Sequence, residues 1–93
     1  MDYDDYNRLY ERIEAYRAAV HRQASEWIRQ NAPEFPVDNT VSDPEAYNID
    51  LGERIGAKDG HFRVWLIHNS VEAKTRRISV PAELLTVPGL DPS

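Results

Sequence analysis

The sequence predicts an α+β fold: a long N-terminal amphipathic helix packed on a three-stranded antiparallel β-meander, with a short C-terminal helical turn. Three observations carry this expectation. Residues 2–31 hold apolar side chains at helical spacing with no Gly or Pro among them. Residues 47–80 alternate apolar and polar with two turn-like breaks. Between them, residues 32–46 carry Pro33, Pro36 and Pro44 and read as an irregular linker. At 93 residues the chain is expected to form one domain, 1–93, closed by a short turn and tail over 81–93.

Successive helical residues lie about 100° apart. On that spacing Tyr3, Tyr6, Leu9, Tyr10, Ile13, Tyr16, Val20, Ala24, Trp27 and Ile28 fall on one apolar arc facing the core. Asp4, Arg8, Glu11, Ala15, Arg22, Glu26 and Arg29 fall opposite. Asp2 is placed to cap, and Asp4 and Asp5 sit in the first turn, where the helix dipole favours negative charge. Asn31-Ala32-Pro33 ends the helix, because a residue before proline is pushed out of the helical region. Arg17 falls near the middle of the apolar arc and is expected to run its stem past the sheet edge.

Tyr47, Ile49 and Leu51 alternate with Asn48 and Asp50 in the first strand. Gly56 to Gly60 forms a turn with glycine at both ends, suited to positive φ. His61 to His68 gives the second strand and Thr75 to Val80 the third, joined through Ser70 to Lys74. Short loops join neighbours, so the expected order is one, two, three. The stretch from Thr75 to Leu85 is similar to the strand-then-helix opening of ribbon-helix-helix DNA-binding proteins. Pro88-Gly89 arrives too early for the two helices that fold needs, so the expectation is a third strand running into one helical turn, with Pro81 at its first position.

Chemistry-bearing groups are sparse. There is no cysteine, which excludes disulfides and thiolate sites. His21, His61 and His68 lack metal-ligand spacing, and His61 and His68 point to opposite faces of one strand. They read as polar surface or strand-end residues. His68-Asn69-Ser70 are adjacent only in sequence, and no phosphate loop or nucleophile elbow is present. The carboxylates of Asp43, Glu45, Asp50 and Glu53 lie in or beside flexible segments. The expectation is a protein without enzymatic activity, cofactor or metal.

Two surfaces stand out. On the second strand Phe62, Val64 and Leu66 form the face under the helix, while Trp65 and Ile67 lie on the other with His61 and Arg63. The neighbouring strands add Asn48 and Asp50 on one side, and Thr75, Arg77 and Ser79 on the other. An aromatic among polar and arginine side chains has the composition of an interface hot spot. The competing expectation is that Leu84, Leu85, Val87 and Leu90 fold back over Trp65. The second surface is acidic. Residues 1–46 hold ten acids and five bases and residues 47–93 six of each, so the first half carries the whole net charge of -5. The partner-binding residues expected from these surfaces are Asp2, Asp4, Asp5, Glu11 and Glu14 on the helix, and Arg63, Trp65, Ile67 and Arg77 on the sheet.

The function expected is that of a small acidic module that occupies a surface of a larger protein partner with a basic surface, as an inhibitor or regulator. Anti-CRISPR proteins, antitoxins and immunity proteins of phages and mobile elements share this size and charge, a likeness of class rather than of matched residues. The acidic balance argues against direct nucleic-acid binding. The longest apolar run, Val64 to Ile67, is too short for a membrane, and the acidic start lacks a secretory signal, which points to the cytoplasm. The alternative is a structural subunit that forms a homodimer through its sheet.

Overall fold

The structure is a computed structural model that describes residues 3–52 and 56–89. One helix, α1 (Tyr3–Asn31), is followed by strands β1 (Tyr47–Asp50), β2 (His61–His68) and β3 (Arg76–Pro81), with 3-10 turns at Glu72–Lys74 and Ala82–Leu85. The side chains of α1 are described from Ile13 onward. The sheet is antiparallel in the order β1-β2-β3. The fold class and strand order are those the sequence predicts.

The core lies between α1 and the even-numbered face of β2. Val20, Ala24, Ile28 and Ala32 meet Ile49, Leu51, Phe62, Val64, Leu66 and Val80, all buried. Several of the helical positions are small, which lets the helix lie close to the pleated surface. Each large aliphatic side chain removed from water contributes about 1.5–3 kcal/mol. At its C-terminal end the helix closes with Ala32 N–H donating to Ile28 C=O (2.8 Å) and Asn31 Nδ2 donating to Trp27 C=O (2.9 Å).

Among the described side chains one position of the apolar arc departs from the core. Ile13 is 43 % exposed, and inward contact begins at Tyr16 among the described side chains. The reason is length: a helix of 29 residues runs about 43 Å, against about 26 Å for the eight residues of β2.

The segment over 32–46 lacks regular elements, yet it is tied down by hydrogen bonds. Val37 forms an isolated parallel bridge to Tyr47. Asn39 Nδ2 donates to Ser25 Oγ (3.0 Å) while its Oδ1 accepts from Ile49 N–H (2.9 Å), joining α1 to β1. Asn69 Nδ2 donates to the carbonyls of Asp38 (3.3 Å) and Asp43 (2.9 Å). Asp38 organises the bend itself: its carboxylate accepts from Thr40 N–H (3.0 Å), Thr40 Oγ1 and Asp43 N–H (2.7 Å). These bonds, the Thr40 hydroxyl first, hold the Asp38 carboxyl below its ordinary pKa.

Other details differ from the sequence expectation. The turn into β2 uses Asp59 (φ 56) and Gly60 (φ 76) as its left-handed pair, with Lys58 N–H donating to His61 C=O (2.7 Å) and His61 N–H to Lys58 C=O (3.1 Å). That is the Asp-Gly hairpin turn, and Gly56 is not among the positive-φ residues. Thr75 belongs to the first 3-10 turn, where its N–H donates to Glu72 C=O (3.0 Å), so β3 begins at Arg76. Pro81 ends β3 and precedes the 3-10 turn instead of opening it.

Candidate functional site

The solvent face of the sheet is formed by the odd-numbered residues of β2 and their cross-strand partners. The register places Asp50, Trp65 and Arg77 in one row across all three strands, Asn48 beside Ile67, and Arg63 beside Ser79. Trp65 is 39 % exposed. The guanidinium carbon of Arg77 lies 4.2 Å from the centre of its indole ring, a cation–π contact worth about 0.5–1 kcal/mol at an exposed site. The contact sets the guanidinium over the indole on open surface. Arg63 is exposed and Ile67 half-buried in the same face.

The tail does not cover this face as far as Gly89. Residues 82–89 turn toward α1: Tyr16 Oη donates to Leu85 C=O (2.7 Å) and Gln23 Nε2 to Leu84 C=O (3.3 Å). Val87 is buried in the core, with Leu84 and Leu85 packed against it. Leu90 lies outside the described residues. Even-numbered β2 residues face α1 and odd-numbered ones face away, so a tail bound to α1 is on the wrong side of the sheet to reach Trp65.

The strands carry Arg63, Arg76 and Arg77 against Asp50 alone, whereas residues 32–46 carry Glu34, Asp38, Asp43 and Glu45 and no base. Among the described residues Lys58, Arg63, Lys74, Arg76 and Arg77 have no carboxylate partner. Arg76 Nη1 donates only to the carbonyls of Thr75 (3.1 Å) and Ala73 (3.5 Å). Asp50 uses one carboxylate oxygen to accept from Gly52 N–H (2.7 Å). Lys58, Asp59, His61, Phe62, Arg63 and Ser79 line an open groove where the hairpin turn meets the solvent face. Sequence reading assigned His61 and Arg63 to this face by parity; Lys58 entered only because the turn bends back.

The acidic set is placed only in part. Asp2 lies outside the described residues, and Asp4, Asp5 and Glu11 lie in α1 where side chains are not described. Glu14 is exposed and borders a shallow groove between α1 and β1 with Arg17 and His21. It does not join the Trp65 face. Arg17 passes the sheet edge to donate to Gly52 C=O.

The histidines divide sharply. His61 is exposed on the solvent face, whereas His68 is buried among the core-facing residues, contrary to a polar-surface reading. Its Nδ1 accepts from Ser70 N–H (3.1 Å) and Val71 N–H (2.8 Å), which places the ring proton on Nε2, 4.0 Å from Glu45 Oε2. The ring also meets Tyr47 edge-on at 5.1 Å. His68 thus caps the turn after β2. His21 is half-buried, and its Nε2 lies 2.9 Å from Ile49 C=O. Among the described residues no three His, Asp or Glu converge as metal ligands, and no helix is long and apolar enough to cross a membrane.

No protein-family model, curated protein or solved structure matches the chain. The site is therefore read from its own geometry.

Proposed function

We propose that the protein is a small protein-binding module, an inhibitor or regulator that acts by occupying a surface of a larger partner. The observation that carries this reading is the Trp65–Arg77 pair, an ordered aromatic and guanidinium on solvent-facing sheet. Burying an indole at the centre of an interface, with arginine beside it, is how a few residues supply most of a binding energy. The acidic N-terminal half supplies a second surface, suited to a basic partner and to steering its approach. Phage and mobile-element inhibitors share this size and acidity, a likeness of class rather than of matched residues, and the cytoplasm is the compartment in which such a module would act.

The test is capture of a partner from extracts of the source cell with the wild-type chain, Trp65→Glu, and Asp4→Lys with Asp5→Lys. The expected result is one partner held by wild type and lost by Trp65→Glu, whose unfolding midpoint stays at the wild-type value. Equal capture by wild type and Trp65→Glu overturns the reading. A second reading, a structural subunit that forms a homodimer through its sheet, draws on the exposed Trp65 face. Light scattering separates the two: a monomer supports the module, and a dimer split by Trp65→Glu supports the subunit.

A further inference from the structure

The two edges of the sheet are built differently. In an antiparallel ladder every second residue turns its N–H and C=O away from its paired neighbour. On β1 those residues are Tyr47 and Ile49, and all four groups are taken. Tyr47 N–H donates to Pro36 C=O (2.8 Å) and Asp38 N–H to Tyr47 C=O (2.8 Å). Ile49 N–H donates to Asn39 Oδ1 (2.9 Å), and His21 Nε2 meets Ile49 C=O (2.9 Å). On β3 the phase is set by Ala82 N–H donating to Gly60 C=O (2.9 Å). Even-numbered residues therefore face β2, while Arg77 and Ser79 turn both backbone groups outward and Pro81 its carbonyl. No described group meets them.

We propose that this open edge of β3 receives an extended acidic segment of a partner protein as a fourth strand. The inference rests on the protein-binding reading above and names the partner's chemistry at the sheet edge beside the Trp65 face. Backbone donors and acceptors in alternation match another peptide backbone; a phosphate chain offers acceptors alone. The acidic preference follows from Arg76 and Arg77, which project to opposite faces of the sheet and lack carboxylates. A second copy fits poorly, because pairing β3 with itself gathers four arginines in one ribbon with no carboxylate between them, and Pro81 withholds a donor. The guest is specified residue by residue. Adjacent acids stand opposite Arg76 and Arg77, an apolar residue lies beside half-buried Ile78 on the helix side, and a polar one lies beside Ser79.

The experiment uses fluorescein-labelled peptides of about eight residues, the length of a full strand, carrying Glu-Glu beside Val, Ile, Thr or Tyr in both chain directions. Anisotropy is read against the wild-type protein. Controls replace Glu by Lys, N-methylate alternate peptide residues in each of the two phases, or substitute a single-stranded oligonucleotide. The expected result is binding by at least one acidic peptide, weakened about tenfold or more by Lys, by one N-methylation phase and not the other, and by Ser79→Pro. Should Ser79→Pro fail to fold, the phase comparison on wild type decides alone. No binding by any acidic peptide at millimolar concentration reduces Arg76, Arg77 and Pro81 to guards against self-pairing and overturns the proposal. Equal effects of the two phases, or tighter binding of the oligonucleotide, also overturn it. Loss of the cellular partner from Trp65→Glu with every peptide silent sinks this inference alone. Peptide binding with the partner still captured by Trp65→Glu sinks the Trp65 reading alone.

Discussion

His68 is the buried polar side chain on which the end of β2 depends. Its Nδ1 is the acceptor for two backbone N–H groups, those of Ser70 and Val71. Replacing it with Phe keeps an aromatic ring, a larger one, beside Tyr47 and leaves both donors without their acceptor. His68→Phe is expected to lower stability by about 1–3 kcal/mol, with His68→Asn recovering part of the loss, as read from urea unfolding midpoints. Asp38 gives a pH dependence whose sign is fixed. Hydrogen bonds to its carboxylate lower its pKa, so their stabilisation is present above the unfolded value of about 3.9 and is lost as pH falls through the folded value. Thr40→Val is expected to raise the Asp38 pKa in an NMR titration; an unchanged titration would contradict the hydroxyl's role. Val41, in the same bend, is β-branched with φ 55, a strained combination. Val41→Gly should raise stability by about 1 kcal/mol, checked by thermal unfolding.

At the scale of elements, α1 covers the buried face of the sheet together with Leu84, Leu85 and Val87. Ile28 is fully buried near its C-terminal end, and Ile28→Ala is expected to cost about 2–5 kcal/mol by denaturant unfolding. Much of this was legible in the sequence. The alternation Phe62, Val64, Leu66 against Arg63, Trp65, Ile67 sets both faces of β2, and continuing the same parity one step puts His68 on the core side. Proline after Asn31 sets the end of α1. The bend over 32–46 was not legible, because Asn39 and Asn69 act through bonds to residues 10 to 31 positions away and such bonds leave no periodic trace. Nor was the exposure of Ile13, since a helical arc records which side is apolar and not where the partner surface ends. For the candidate site, parity placed Trp65, Arg63 and Arg77 together; the asymmetry of the two sheet edges depends on loop and side-chain partners that spacing does not encode.

The whole molecule separates charge. The net -5 arises in residues 1–46, while the described sheet presents Arg63, Arg76 and Arg77 without ion pairs. Such a distribution gives the molecule a field with direction. Association with the cellular partner is expected to slow as salt is raised, because screening shortens the range of that field. Stopped-flow rates that stay constant from low to physiological ionic strength would count against electrostatic steering. The one-sided closure of the sheet has a further result for crowded conditions. Templated growth of fibrils needs two faces that propagate, one to accept an incoming chain and one to offer itself to the next. Here one of them is closed by His21, Asn39 and the Pro36–Asp38 backbone, so the folded chain adds a strand at β3 alone and cannot relay growth through its own sheet.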